Sequence, residues 1–532
     1  MERYFNVTGN CSADIHYMAD ISRQLGEIKR LVDRNQYFVI NRARQYGKTT
    51  TLMHLQQSLA GDYITIPISF QDVGEESFES AATFCRMFYS LLNMMISADE
   101  SLPIPQAIRD ECVQLRRAED PGDALFRLSE FITNMCKAAG KPIVLLIDEV
   151  DQAGNYKIFL NFLGIIRQKY LARNMYPTFQ SVILAGVYDI KNLKLKIRDE
   201  GERQYNSPWN IAADFDVDMS LSAASIAAML GEYENDHHTG MDIGEMAALL
   251  RDYTAGYPFL VSRICKNIDE KISGSDRYPD KASAWSRAGF FEAVSFLLNE
   301  PNLLFDDMSK KLAEFPELYT MLHNILFFNQ KYSYNINTFA INLAAMFGFV
   351  CRAPERNAVM IANRIFEMHL NLFFLSEAEF KESLQPLDGD SSRFTRGGRL
   401  DMELVMEKFA TYYGEIYRDE DQAFLEKNGC KIFLMHLKQI INGVGNYYRE
   451  AQTFDNTRMD IIVDYLGQQY VVELKIWRGG KYHEEGESQL LGYLDRLGLD
   501  KGYMLIFNFN ADKKAGMKTV NVEDKVIVQT VV

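Results

Sequence analysis

The 532-residue sequence has no apolar run approaching the eighteen or so residues that a membrane span needs; the longest, such as 343–351 and 142–147, fall well short. No membrane partner is therefore expected. The 7 cysteines are scattered without a C-x-x-C pair, which excludes a disulfide scaffold or a zinc site and fits reduced thiols. The first residues show no basic region leading into an apolar one, so no secretory signal and a cytoplasmic location are expected. Proline is scarce, at 13 residues, and neither a repeat nor a low-complexity tract occurs. With 47% hydrophobic and 24% charged residues, a mostly disordered chain is excluded. There is no excess of positive charge: 57 Lys and Arg face 72 Asp and Glu, a net charge of -15. A uniformly acidic chain repels a phosphate backbone, so a histone-like binder is excluded, though a local basic groove is not. Residues 385–532 carry 19 basic and 23 acidic side chains against 38 and 49 in the first 384. The C-terminal part is the less hostile place for a nucleic acid.

At roughly 150 residues per domain, the length predicts three to four domains. Residues 20–35 carry Ile21, Leu25, Ile28, Leu31 and Val32 at helical spacing. A short buried strand is expected at 37–40, a helix at 49–59, an alternating strand at 63–70, and helices at 81–96 and 124–138. Residues 142–147 are apolar throughout, led by proline and followed by two acids. That pattern suits a strand buried on both faces of a parallel sheet, and 182–187 repeats it. Strands alternating with long helical patterns predict an α/β fold with a parallel sheet. From about Asn206 to about Glu377 the pattern is mostly helical. Residues 385–398, rich in Gly, Ser, Asp and Pro, read as a linker. Beyond it come helix, strands at 447–453, 459–465 and 469–477, a helix at 488–497 and a final strand at 502–508.

Gly47-Lys48-Thr49 falls between the strand at 37–40 and a helix running from Thr50 onward. In a P-loop, backbone N–H groups and a helix N-terminus cradle phosphates, the Lys reaches the β- and γ-phosphates, and the Thr hydroxyl binds magnesium. The full pattern asks for glycine five residues before Gly47, where this chain has Arg42. A hundred residues on, an apolar strand ends in Asp148-Glu149. Asp148 there suits the magnesium shell and Glu149 suits the polarisation of an attacking water. Asp151 reads as a loop or supporting acid. The end of the 182–187 strand, Ala185-Gly186-Val187, offers no polar side chain to sense a γ-phosphate. Arg42 and Arg44 touch phosphate or are surface charges, the surface reading being favoured for Arg42. His16 and Tyr17 line a base pocket or, more ordinarily, pack in the core.

Glu473 and Lys475 alternate on one strand and so point to one face. Asp460 lies thirteen residues upstream, across a turn at 466–468, and a hairpin of that size can set it beside Glu473. Two adjacent carboxylates bind a divalent cation through hard oxygens. A neighbouring lysine orients or activates water, or stabilises developing phosphorane charge. Gln489 starts the next helix and can reach the same site, with Tyr493 one turn on; the plain alternative is a surface amide. Glu450 is a third acid or a solvated strand residue, and His483 and Glu484 fall in a polar loop. The plain alternative for the trio is a charge ladder on a half-exposed sheet.

The stretches 42–49, 146–149, 206–211 (Asn-Ser-Pro-Trp-Asn-Ile) and 256–260 (Gly-Tyr-Pro-Phe-Leu) resemble the AAA-like ATPases of bacteria that carry a PD-(D/E)XK nuclease-like domain at the C-terminus. In that family an Arg often replaces the first P-loop glycine. Arg458-Met-Asp460, the 473–479 stretch, the 489–495 stretch and Lys501-Gly-Tyr503 resemble its nuclease-like domain. The resemblance spans nearly the whole chain. It implies a P-loop core over 1–205, a helical lid over 206–300, a helical, winged-helix-like connector over 301–384, the linker 385–398, and a restriction-endonuclease-like α/β domain over 399–532. By position it assigns Lys48, Thr49, Asp148 and Glu149 to ATP, and Gly47 and Thr50 at the helix start are expected to join them in binding the nucleotide. It assigns Asp460, Glu473 and Lys475 to metal and phosphodiester chemistry, with Asp460 and Glu473 as the magnesium ligands, and Gln489 is expected to join the catalytic set. The expected cofactors are ATP and magnesium. The expected partner is nucleic acid, DNA ahead of RNA, with homo-oligomerisation open. The expected function is an ATP-binding and hydrolysing protein whose nucleotide state gates a DNA nuclease. The competing expectation is a nucleotide-dependent switch or assembly protein whose nuclease-like domain only grips nucleic acid or a partner. The intact trio favours the first; the acidic charge and the lack of a basic stripe favour the second.

Overall fold

A strand that is apolar at every position satisfies both of its faces only inside a layered sheet. The computed structural model shows this for β3 (Ile143–Asp148), buried at all six positions. Ile143, Leu145 and Ile147 pack into one core while Val144 and Leu146 pack into another. The structure describes residues 2–118, 122–154, 156–187, 209–328, 330–354, 357–381, 394–416, 422–441, 444–449, 458–477, 480–508 and 515–532. They divide into two compact units, Asn6–Leu221 and Glu2–Phe5 with Ser222–Val532.

In the first unit β1 (Phe38–Asn41), β2 (Ile64–Ser69), β3 and β4 (Ser181–Gly186) form a parallel sheet in the order β1-β4-β3-β2. The α/β fold with a parallel sheet is therefore present, each strand within a residue of its expected place. Helices Ala81–Ala98, Ala124–Ala138 and Lys157–Leu171 cover one face, and helices Ser22–Asp33 and Lys48–Leu59 the other. Past β4, Ala213 bridges in parallel to Phe38 on the free side of β1. Strand neighbours thus lie on opposite sides of β1 at Phe38, and the loop 42–47 leaves the other end of the strand, after Asn41. In open parallel sheets this crevice outside the strand C-termini is where ligands bind.

The second unit begins with helices Ala223–His237, Ile243–Thr254, Pro258–Asn267 and Arg287–Asn299. Helices Leu303–Glu314, Pro316–Phe328 and Phe339–Met346 follow, then an antiparallel pair, β5 (Val350–Arg352) and β6 (Val359–Ile361), and helix Arg364–Lys381. Of the expected linker, 385–393 lies outside the described residues, and the rest makes a small hairpin, β7 (Thr395–Arg396) with β8 (Arg399–Leu400). Helices Met402–Ile416 and Gln422–Ile441 precede a six-stranded sheet of order β13-β14-β12-β11-β10-β9. Its strands are β9 (Gly445–Arg449), β10 (Arg458–Tyr465), β11 (Gln468–Ile476), β12 (Lys501–Phe507), β13 (Gly516–Val522) and β14 (Lys525–Val531). β9, β10 and β11 pair antiparallel, whereas β11, β12 and β14 run parallel. Helix Gly480–Leu497 makes the crossover between β11 and β12.

Two expectations need correction here. The chain does not end its strands at 508: β13 and β14 form a further hairpin, turned at Glu523 in the left-handed region (φ 55°). The alternation of Val520 and Val522, then Val526 and Val528, was its sequence signal. The last helix starts at Gly480, which places His483 and Glu484 in helix and not in a loop. Glu450 lies outside the described residues, and no described helix is long and apolar enough to cross a membrane.

Candidate functional site

The loop after β1 turns back through two left-handed residues, Gln45 (φ 57°) and Gly47 (φ 77°), and Gly47 caps helix Lys48–Leu59. A glycine at that cap lets backbone N–H groups of the first helical turn face outward, the arrangement that binds anions. Lys48 is only 7% exposed. Its ammonium donates to the carbonyls of Arg42 (2.9 Å) and Ala43 (3.0 Å), holding the loop as a ring. Burial lowers its pKa, while Asp151, Glu149 and Asp148 act to raise it, in that order. Ammonium and carboxylates therefore share one field. Thr49 is exposed on the first turn. The Thr50 hydroxyl accepts from the Cys11 N–H (3.2 Å), while His54 Nε2 lies 3.2 Å from the Cys11 carbonyl. Thr50 and His54 pin the N-terminal segment to the helix, a role that no local motif announces.

Asp148, 7% exposed, ends β3 and accepts from the Glu149 N–H at 2.9 Å. Glu149 itself is left-handed (φ 53°). Burial, then the Asp148 charge, raises its carboxyl pKa. Asp151 accepts from the Val187 N–H (2.6 Å), and a Cβ on Gly186 would stand 2.8 Å from its Oδ1. The glycine that looked like a missing sensor is thus the space that Asp151 occupies. Arg42 is half-buried, not a surface charge. It donates to the carbonyls of Val217 (2.8 Å) and Phe215 (3.5 Å) and covers the Phe215 ring at 5.1 Å. Its guanidinium is directed to this segment, which accounts for an arginine at the glycine position. His16 and Tyr17 are buried, and His16 Nδ1 accepts from the Ser12 N–H at 2.9 Å. The Thr49 hydroxyl and the Asp148 carboxylate are hard oxygens, the donors that magnesium takes alongside phosphate. Among the described residues no three or more His, Cys, Asp or Glu gather into a metal cluster.

In the C-terminal sheet Asp460 pairs directly with Glu473, and Arg458 with Lys475, across the β10–β11 hairpin. In this register the two acids occupy one rung. Glu473 is 0% and Lys475 1% exposed. This is not a half-exposed charge ladder. Gly486 of helix Gly480–Leu497 covers them: a Cβ there would stand 2.6 Å from Lys475 Nζ and 2.9 Å from Glu473 Oε1. Both functional ends thus converge on one glycine. Gln489 sits in the middle of that helix, not at its start, and is exposed three residues on from Gly486; Tyr493 is buried. Gly486 escaped sequence reading because its meaning depends on what the helix lies against.

No family model matches the sequence, and no curated protein matches it. Among solved structures, the Walker-type ATPase of Pyrococcus abyssi is similar at a TM-score of 0.38 and 14% identity, covering 69% of this chain and 99% of that one. The ORC1 protein of Aeropyrum pernix, in complex with DNA, is similar at a TM-score of 0.28 and 13% identity, covering 69% and 95%.

Proposed function

We propose that the first unit binds and hydrolyses ATP, and that its nucleotide state gates magnesium-dependent cleavage of DNA by the C-terminal sheet. The observation that carries the reading is the edge where the Gly47-Lys48-Thr49 loop and the Asp148-Glu149 strand end meet on either side of β4. Gly47 and the first helical turn cradle phosphate, and Lys48 exchanges its loop carbonyls for phosphate oxygens. Thr49 and Asp148 would hold magnesium, which when bound polarises phosphoryl oxygens. Glu149, whose raised pKa makes it the better proton acceptor, orients and deprotonates the attacking water. On the C-terminal rung, Asp460 and Glu473 would hold the second cation, and Lys475 supports the water or the developing charge. Gln489 contacts substrate at the helix rim. The three helices and β5–β6 hairpin of 303–361 support a winged-helix-like element, which suits DNA over RNA.

The test incubates the protein with plasmid, linear and single-stranded DNA and with RNA, with magnesium, with and without ATP. Lys48→Ala and Glu473→Ala run beside it. Cleavage lost in Glu473→Ala and altered in Lys48→Ala is the expected result. ATP turnover with no cleavage of any substrate overturns the nuclease half. The burial of Glu473 and Lys475 favours a second reading in that event, a nucleotide-dependent switch that only grips nucleic acid or a partner. ATP-dependent self-association in light scattering is its signature.

A further inference from the structure

The turn end of the β10–β11 hairpin is tied to helices some two hundred residues earlier in the chain. Asp464 and Gln469 oppose each other there, four positions from Asp460 and Glu473 respectively. Asp464 is 4% exposed. It accepts the Tyr253 hydroxyl at Oδ2 and the Gln469 amide at Oδ1 (2.9 Å). The Gln469 amide also reaches the Tyr448 hydroxyl (3.3 Å), and its carbonyl accepts from Arg287 (3.0 Å). Tyr448 accepts from Arg364 (2.9 Å), and Arg364 pairs with Asp252 (2.5 Å). Glu292 lines a small cavity beside Asp464. At the turn itself Gly467 is left-handed, and a Cβ there would stand 3.1 Å from the Ala288 Cα. The turn is therefore pressed against helix Arg287–Asn299, and helix Ile243–Thr254 supplies the hydroxyl that Asp464 accepts. A buried carboxylate left without donors is costly, so the knot holds only while every member keeps its place.

Register is what such a knot can fix. A slip of one residue in β11 would turn Glu473 and Lys475 to the other face of the sheet and break their register with Asp460. We propose that Tyr253, Asp464 and Gln469 are positioning residues, through which helices Ile243–Thr254 and Arg287–Asn299 hold the β10–β11 hairpin in register and with it the Asp460–Glu473 rung. The proposal rests on reading that rung as the phosphodiester-cleaving site.

The experiment compares amide hydrogen exchange across 461–472 in the full chain, wild type against Tyr253→Phe and Asp464→Asn. Tyr319→Phe, which removes a hydroxyl donor to Glu377 (2.8 Å) elsewhere in the same unit, is the control. Exchange in the hairpin is expected to rise about tenfold or more in both test variants, and not in the control. Magnesium-dependent cleavage of linear duplex DNA should lose about tenfold in kcat with KM unchanged, at unaltered ATP turnover. Hairpin exchange no faster than in Tyr319→Phe overturns the positioning role. A wild type that cleaves nothing overturns the reading of the rung instead, and the exchange data still decide the positioning. If Tyr253→Phe fails to fold, Asp464→Asn carries the comparison.

Discussion

At the scale of the residue, the chemistry is set by burial around single charged groups. Lys48 is spent on two loop carbonyls before any phosphate arrives. Lys48→Ala should therefore weaken nucleotide binding by about a hundredfold and also loosen the loop, at a cost of about 1–2 kcal/mol. Titration of a fluorescent ATP analogue, with urea unfolding alongside, separates the two effects. Asp464 gives a pH signature. Burial raises its carboxyl from 3.8 to about 6. Between these values the folded chain holds a proton that the unfolded chain has released, so stability is lost as pH rises through that window. The loss is on the order of 3 kcal/mol. Asp464→Asn removes this contribution, so its stability relative to wild type should climb from pH 4 to pH 7. Parallel stability curves in urea over that range would count against the raised carboxyl.

At the scale of the element, glycines mark where one piece of structure lies on another. Gly486→Ala places a methyl against Lys475 Nζ and Glu473 Oε1, so that the ends of two buried side chains must shift. A loss of about 1–3 kcal/mol is expected, by analogy with overpacked cores. Gly492→Ala is the matched control. It lies in the same helix with nothing within 4 Å of its Cβ, and should be neutral or stabilise by about 0.5–1 kcal/mol. Thermal unfolding of the two variants decides whether the cover over the rung is as close as the structure has it. β3 and β4 were legible because an unbroken apolar run has few alternatives in a parallel sheet, and β2 because its apolar positions alternate. β13 and β14 were harder to see, since β13 is mostly exposed and polar at alternate positions and a run so polar competes with irregular coil. The early start of helix Gly480–Leu497 was missed for a related reason: its first turns carry Gly480, Gly486 and several charges, a composition that suits a loop until the sheet beneath it is known.

At the scale of the whole molecule, charge opposes the proposed partner. A chain of net charge -15 would bind DNA only through a local surface, with few phosphate contacts. Two such contacts predict that affinity falls about tenfold between 50 and 200 mM salt. Fluorescence anisotropy of a labelled duplex measures the slope, and a much steeper one would require an extended basic face. The chain enters the first unit between Phe5 and Asn6 and leaves it between Leu221 and Ser222. Phe5 packs near Tyr233 and Trp285, at ring distances of 5.2 and 5.8 Å, and Arg3 pairs with Glu232 and Asp236. The first residues thus belong to the helical unit, an assignment that no local pattern carried.

The sequence by itself determined the alternation that makes the first sheet, the position of Gly47, Lys48 and Thr49 at a helix start, the acids closing β3, and the two-residue periodicity of Glu473 and Lys475. These follow from spacing and local backbone preference, which act over a few residues. Tertiary structure alone decided that Arg42 turns to Phe215 and Val217, that Thr50 serves the N-terminal segment, that Gly186 makes room for Asp151, and that Gly486 closes over a buried acid and lysine. It alone tied Asp464 to Tyr253. The physical reason is common to all five: each is a contact between residues distant in sequence, whose strength comes from mutual burial, and burial exists only once the chain has folded.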